Sequence, residues 1–314
     1  MTEHDSSYHL LFSHPQLVED LMRNFVPEAW VAQLDFGAMQ RINAKFHAEG
    51  LERREGDLIY RIPYKQGPGE VYLYLLLEFQ SSPDPWMAVR CLAYVSLLYQ
   101  QLIKEDQLTA NRKLPPVFPL VLYNGDQAWA APLDLHSLIG LPEHSPLRRF
   151  QPQFRYYLLD ESLYPKGKAD SITGVLFEIE NIQNLNDLRD CVQRLETLIP
   201  ETQASLRRAF LVWLKYVSMP IKGLHLTPRD FEHLSEFKEM LSTRIEKWEQ
   251  DKLREVREKG RKEGKAAMLV KALVLKFGPI PQDVQQQIDH AEVELIERWF
   301  EQMLAADHLN DVFK

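Results

Sequence analysis

Two apolar segments separated by a turn constrain the fold of this chain more than any other feature. Residues 56–64, GDLIYRIPY, alternate in character, and residues 70–82, EVYLYLLLEFQSS, contain seven apolar or tyrosine residues in succession. Between them, KQGPGE supplies two glycines and a proline, residue types that dominate turns. The pattern predicts a β-hairpin whose second strand is buried.

A carboxylate and an amide, Glu78 and Gln80, stand at the end of the buried strand. If the hairpin turns symmetrically about Gly67 and Pro68, Asp57 lies directly across from Glu78 on the same face of the sheet. The same register places three apolar pairs on the opposite face: Leu58 with Leu77, Tyr60 with Leu75, and Ile62 with Leu73. This apolar face supports the register, because a slip of one residue would reverse every side chain.

Two opposed carboxylates predict a cation. Directly opposed side chains have Cβ atoms about 4.5–5.5 Å apart, and two like charges at that distance repel each other unless a counter-charge is present. An all-oxygen pair suits Mg²⁺ or Mn²⁺, and the amide of Gln80 could hold a metal-bound or attacking water. The alternative is that Glu78 pairs with Arg61 or Arg90 and that Asp57 only ends a turn, which a shifted turn centre would favour.

The segment after the hairpin offers a second group of candidates. Residues 86–103 contain no helix breaker, and they predict a helix of about five turns. Arg90 and Tyr94 are four residues apart and therefore lie on one face of that helix. Arg90 could offset the charge of a phosphate group, or it could form a salt bridge with Glu78.

The rest of the chain divides into a mixed region and a helical region. Residues 1–170 combine helices with further strands in residues 115–125 and 153–160, which predicts an α/β class with a mixed α+β sheet. Residues 171–245 show successive helical patterns and predict a helical extension. Residues 246–314 predict a charged helix or linker followed by a C-terminal helical tail, because acids and bases alternate in residues 246–265.

Composition limits the classes of function. The net charge of −8 argues against a protein that is basic overall, although an enzyme can confine its positive surface to one cleft. Cys91 and Cys191 have no CxxC or Cys/His spacing around them, which favours a reducing compartment and no zinc module. We expect a cytoplasmic protein, since no signal peptide and no apolar run of about 18 residues is found.

Several segments together resemble a known family. Asp57 in GDLIYRI, Glu78 and Gln80 in LLLEFQSS, PDPWMAVRCLAYVSLLYQ and PPVFPLVLYNG are similar to the recombination-promoting nuclease / putative transposase family of bacteria. The opening HDSSYHLLFSHPQLVEDLMRNFVP and the later GRKEGKAAMLVKALVLKFG are similar to the family's two ends. The family belongs to the PD-(D/E)XK nuclease superfamily, so the resemblance implies a restriction-endonuclease-like core flanked by helices.

The resemblance also implies an activity and a site. It implies Mg²⁺-dependent hydrolysis of DNA phosphodiesters, with Asp57 and Glu78 as metal ligands. Gln80 takes the place of the superfamily lysine; a glutamine can orient water but brings no charge, so Arg90 is expected to supply it. Asp5 matches the position of an accessory acid, with Glu19 and Asp20 as second candidates.

The expected protein is therefore a metal-dependent DNA endonuclease of recombination, mobile-element or defence biology. The alternative is a catalytically silent nuclease fold that binds DNA or protein. The resemblance further implies pairing of subunits in a homo-oligomer and restraint of the enzyme by its C-terminal tail.

Overall fold

The computed structural model describes residues 3–42, 57–67, 69–78, 83–125, 127–142, 144–164, 170–182, 184–218 and 231–313. The chain forms two compact units, Met1–Leu241 and Ser242–Lys314. None of the helices in these ranges is both long and apolar enough to cross a membrane.

The described part of the first unit contains a five-stranded mixed sheet. Its strands are β1 (Gln40–Ile42), β2 (Asp57–Pro63), β3 (Glu70–Glu78), β4 (Val117–Tyr123) and β5 (Tyr157–Asp160), and they lie in this order across the sheet. Strands β1, β2 and β3 pair antiparallel, whereas β3, β4 and β5 pair parallel. The hairpin and the mixed α/β class predicted from the sequence are confirmed.

The described helices surround and extend this sheet. They are α1 (Glu3–Phe12), α2 (Pro15–Phe25), α3 (Met87–Lys104), α4 (Ile172–Glu180), α5 (Leu185–Leu198), α6 (Ala204–Ser218), α7 (Leu234–Phe277), α8 (Gln282–His290) and α9 (Val293–Ala305). Helix α2 begins at Pro15, because proline is compatible with the first helical position. Helix α3 lies within one residue of the predicted range at each end.

The predicted register of β2 against β3 is wrong by two residues. Asp57 lies opposite Leu76 and not opposite Glu78. A shift by two residues preserves the alternation of the strand, so the predicted division of residues between the two faces still holds. The position of Asp57 therefore belongs to the same face as those of Ile59 and Glu78.

The hairpin loop accounts for the shifted register. The N–H of Tyr64 donates to the carbonyl of Gly69 at 3.1 Å, which closes the loop between them. Gly67 has a φ of +80°, in the left-handed region that glycine adopts at little cost. The chain therefore reverses about residues 66 and 67, one position earlier than the symmetrical turn that the sequence suggested.

Strand β3 is buried on both faces, and each face has its own hydrophobic cluster. One face, here called the α1 side, packs Leu73, Leu75 and Leu77 against residues of α1, α2, α4, α5, α6 and the start of α7. The opposite face, the α3 side, packs Tyr74 and Leu76 against α3. Helices of the predicted extension thus share one core with the sheet.

The second unit is helical in its described residues. The last part of α7 packs with α8 and α9 around Leu269, Leu273, Ile288, Ile296 and Trp299. Helix α7 ends at Phe277, and Gly278 follows with a φ of +85°. A glycine in this left-handed conformation is a common helix terminus. Residues 246–265 are mostly exposed and helical throughout.

We predict that Gly67→Ala lowers the free energy of unfolding by about 1–2 kcal/mol, because an L side chain is strained at positive φ. Steric contact does not contribute, since a Cβ at Gly67 would meet nothing within 4 Å. Gly140→Ala is the matched control, because Gly140 has equally open surroundings and no positive φ. Urea unfolding followed by tryptophan fluorescence measures both, and equal stabilities would contradict the left-handed turn.

Candidate functional site

The candidate site lies at the edge of the sheet where β3, β4 and β5 end. Backbone pairing places Glu78, Tyr123 and Asp160 in one row across these strands. Asp57 lies opposite Leu76, which makes Glu78 its diagonal neighbour, two residues further along β3. Diagonal neighbours on one face are about 7–8 Å apart, somewhat less between Cβ atoms. The pairing therefore brings the positions of Asp57 and Glu78 together, though less closely than direct opposition would.

The side chains of Asp57 and Glu78, and all of Gln80, lie outside the described residues. Among the side chains that are described, no three or more His, Cys, Asp or Glu residues are grouped so as to hold a metal ion. Metal ligation by Asp57 and Glu78 and the role of Gln80 stay predictions. The structure shows the backbone positions of Asp57 and Glu78.

Arg90 lies at the start of α3, on the face of the sheet that carries the positions of Asp57 and Glu78. Its Nη1 donates to Oδ2 of Asp84 at 3.3 Å, and the Arg90 side chain is 14% exposed. Oδ1 of Asp84 also accepts the backbone N–H of Trp86 at 2.9 Å. Asp84 therefore stabilises the beginning of α3 and holds the Arg90 guanidinium at the same time.

Tyr94 is a core residue on the α3 side. It is 3% exposed, and its ring stacks on that of Tyr74 with centroids 5.8 Å apart and planes at 26°. Aromatic pairs of this kind contribute about 0.5–1.5 kcal/mol beyond the area they bury. The packing gives Tyr94 a structural role, and its predicted accessory role in chemistry stays a prediction.

The acids predicted from the first two helices lie in different surroundings. Asp5 belongs to α1, whose core residues pack on the α1 side of the sheet, and its side chain lies outside the described residues. Oδ2 of Asp20 accepts the N–H of Thr173 at 2.7 Å, in the first turn of α4. Glu19 pairs with Arg23 at 2.8 Å. Asp20 and Glu19 therefore have structural partners away from the predicted metal ligands.

The strand-end motif of Tyr123, Asn124 and Gly125 closes β4. The Tyr123 hydroxyl donates to the carbonyl of Gln127 at 2.7 Å. The same ring meets Trp129 edge to face, with centroids 4.8 Å apart. These contacts give Tyr123 a structural role, because they fix the path of the chain as it leaves β4.

A buried acidic group on the α1 side was missed by sequence reasoning. The Tyr8 hydroxyl donates to Oε1 and Oε2 of Glu161 at 3.1 and 3.3 Å. Burial and the neighbouring charge of Glu180 raise the pKa of the Glu161 carboxyl well above its usual range, although the Tyr8 hydrogen bond opposes this. The only signal in the sequence was an Asp-Glu pair directly after an apolar strand, which is too common to be specific. The group connects α1 to the end of β5.

The part of the chain that contains the sheet matches the model of a known protein family. Residues 2–208 match the model of the family described as "Putative transposase, YhgA-like". This range contains the whole sheet and the helices from α1 to α5, but not α7, α8 or α9. No solved structure matches the chain significantly.

Three curated relatives are recombination-promoting nucleases or similar to them by name. Recombination-promoting nuclease RpnD of Escherichia coli O157:H7 is 28% identical over 127 residues, 40% of this chain and 47% of the relative. RpnC of E. coli K12 is 26% identical over 207 residues, 65% of this chain and 66% of the relative. Inactive recombination-promoting nuclease-like protein RpnE of E. coli K12 is 23% identical over 199 residues, 62% and 64% of the two chains. The chain thus spans about half to two thirds of the length of these relatives.

We predict that Arg90→Gln lowers the free energy of unfolding by about 1–3 kcal/mol, because it removes a charged hydrogen bond from a mostly buried acid. Arg112→Gln is the matched control. Arg112 pairs with Asp106 at 3.2 Å and the same six-residue spacing, but both side chains are more than 70% exposed. That variant should change stability by no more than about 0.5 kcal/mol. Equal effects in urea titrations would mean that Asp84 does not anchor Arg90.

We predict that Glu161→Gln raises the free energy of unfolding. The difference from the parent should grow as pH rises above about 4.5, the usual pKa of a glutamate carboxyl. Above this pH the unfolded state loses the Glu161 proton while the folded state retains it, so the parent loses stability until the raised pKa is passed. Urea unfolding between pH 4.5 and 8 measures the difference between variant and parent. Glu201→Gln, on an exposed carboxylate, controls for the loss of one charge. A difference that is constant with pH would contradict the prediction.

Proposed function

This chain belongs to the family described as "Putative transposase, YhgA-like", and from that premise we propose that it is a metal-dependent DNA endonuclease whose ion is held by Asp57 and Glu78. Relatives named recombination-promoting nucleases support a nuclease. The proposed substrate is the DNA phosphodiester, and the proposed setting is recombination or the biology of mobile elements and defence. Subunit pairing and restraint by the helical tail stay predictions.

The observation that carries the proposal is the register at the end of the hairpin. Asp57 lies opposite Leu76, so the positions of Asp57 and Glu78 are diagonal neighbours on the α3 side of the sheet. At about 7–8 Å the repulsion between two carboxylates is roughly a third weaker than at direct opposition. The pair therefore requires a cation less strongly than the sequence-based register implied, but it remains close enough to share one.

The donor set at these positions fits a hard divalent cation. Mg²⁺ prefers oxygen ligands, keeps several waters and is commonly held by one or two carboxylates together with substrate phosphate oxygens. Two acids on neighbouring strands satisfy that requirement without a third protein ligand. A bound ion of this kind would polarise the phosphodiester and lower the pKa of a bound water.

The chain's own residues supply positioning and charge. Asp57 and Glu78 would orient the ion at the sheet edge, and Gln80 would hold the attacking water through its amide. Arg90 lies on the same side of the sheet and is fixed by Asp84. Its guanidinium would offset the negative charge that develops on the phosphate in the transition state, which the uncharged Gln80 cannot do.

The architecture supports a restriction-endonuclease-like core. Its mixed sheet carries helices on both faces, and the proposed ligands stand at the antiparallel junction of β2 and β3. Helix α3 follows β3 directly and returns along the face to which the positions of these ligands belong.

A catalytically silent nuclease fold is the second candidate. Two relatives, RpnE and YjiP of E. coli K12, are described by name as inactive nuclease-like proteins. In this chain Gln80 stands where the resemblance places a lysine. Under this alternative the same surface would bind DNA without cleaving it.

We predict that the pure protein nicks plasmid DNA in Mg²⁺ or Mn²⁺ and does so no longer in EDTA. Asp57→Asn and Glu78→Gln should each lower the rate by about 10²–10³-fold or more, because each removes the charge that holds the ion. Gel electrophoresis of supercoiled plasmid over time gives the rate.

Glu70→Gln is the matched control for this experiment. Glu70 is a carboxylate at the opposite end of β3 that pairs with Arg61 at 3.0 Å, so its loss should leave the rate within about twofold of the parent. Nicking that survives both Asp57→Asn and Glu78→Gln would contradict the site. Binding without nicking under any metal condition would favour the silent candidate.

A further inference from the structure

A basic and aromatic segment lies in the connection between β4 and β5. Residues 144–156, HSPLRRFQPQFRY, contain three arginines and three aromatic residues but no acid. This composition stands out in a chain whose net charge is −8. Arginines interleaved with aromatic residues are typical of surfaces that bind nucleic acid.

The connection is anchored at its base. Asp134 and Arg155 form an isolated antiparallel bridge. Beside it, the N–H of Leu135 donates to the carbonyl of Phe154 at 3.0 Å, and the N–H of Tyr156 donates to the carbonyl of Leu133 at 3.2 Å. Residues 136–153 therefore extend from a hydrogen-bonded stem.

The tip of this extension is a 3-10 turn, Pro146–Phe150. Ser145 precedes it, and its Oγ accepts the N–H of Leu147 at 3.3 Å. Nη1 of Arg148 contacts Nε2 of His136, which connects the turn to the beginning of the extension. The turn is thus held in place from two sides, and a rigid turn can present its outer side chains in a fixed arrangement.

Two of these outer side chains form a cationic stacking surface. Phe150 is 68% exposed, and the Arg149 guanidinium carbon lies 4.8 Å from the centre of its ring. A single exposed apolar side chain is common on protein surfaces, but here the exposed ring lies directly beside a guanidinium group. Its open ring face can accept a flat aromatic ligand.

Two arginines of the segment, Arg148 and Arg149, form no ion pair with a carboxylate among the described residues, whereas Arg61, Arg90 and Arg112 each pair with an acid. Arg155 differs, because it lies opposite Asp134 and, after the hydrogen bonds from Ser137, its charge helps to lower the pKa of that carboxyl. Unpaired guanidinium groups are available for phosphate oxygens, which they bind through paired N–H donors.

The extension lies on the same side of the sheet as the proposed site. Its apolar residues Leu135, Leu138, Ile139 and Phe154 pack in the α3-side cluster with Leu76 and Cys91. The positions of Asp57 and Glu78 belong to this face. The stem of the extension therefore lies on the face to which the positions of Asp57 and Glu78 belong, at the end of the sheet where β5 begins.

We propose that Arg149 and Phe150 bind single-stranded DNA, with a base stacked on the Phe150 ring and phosphate oxygens bound by the neighbouring arginines. The proposal rests on the proposed nuclease function and adds an unpaired strand as part of its substrate. Stacking favours an unpaired strand over a duplex, because bases inside a duplex present only their edges. An acidic protein surface would pair with the arginines but would leave the ring without a partner.

The test measures binding of a fluorescent single-stranded oligonucleotide by the full chain in EDTA, where no cleavage is expected. Phe150→Ala should weaken binding by about tenfold or more, and Phe150→Trp should restore it. Duplex binding should change by less than about twofold. Arg149→Gln should reduce the slope of log affinity against log salt by about 0.7, the contribution of one phosphate contact on a single strand.

Trp248→Ala is the matched control, because Trp248 is 56% exposed and Lys252 Nζ lies 4.7 Å from its ring centre. It should bind like the parent. The proposal is overturned if the parent does not bind the single strand, if Phe150→Ala binds as tightly as the parent, or if Trp248→Ala loses as much affinity. A loss that size-exclusion chromatography traces to altered self-association also overturns it. Because cleavage is not measured, failure of the proposed nuclease activity leaves this result intact.

Discussion

The pairing of β3 with a neighbour on each side is the constraint on which the rest of the fold depends. Its residues from Val71 to Leu77 are all less than 9% exposed, so both faces must be covered by packed elements. The antiparallel side fixes β2 and the position of Asp57. The parallel side requires a crossover, which α3 provides, and brings the ends of β3, β4 and β5 to one edge.

Polar groups gather where this apolar sheet ends. Two described acids near the end of the sheet, Asp84 and Glu161, each have a hydrogen-bonding partner. Asp84 holds Arg90, and Glu161 accepts the Tyr8 hydroxyl on the other face. Burial of such groups is costly unless they are paired. The positions of the two acids proposed as metal ligands lie on neighbouring strands and on the same face of the sheet.

Much of the local structure follows from the sequence, because strands and helices depend on patterns among residues that are close together in the chain. Alternation predicted which residues of the hairpin share a face, and the absence of helix breakers predicted α3 to within one residue at each end. The register was wrong because it depends on how the loop turns, and the loop contains two glycines of positive φ, Gly67 and Gly69. The Arg149 and Phe150 surface was also missed, since only the structure separates exposed aromatic residues from those, such as Phe154, that pack in the core.

Anomalous diffraction from crystals soaked in Mn²⁺ tests the central claim, a cation shared by Asp57 and Glu78, most directly. The account predicts one anomalous peak beside the start of β2 and the end of β3, with an oxygen from each carboxylate about 2.1 Å away. This peak should be absent from Glu78→Gln crystals. An ordered pair of side chains with no peak between them, or Glu78 paired with Arg90 in the presence of the ion, would contradict the account.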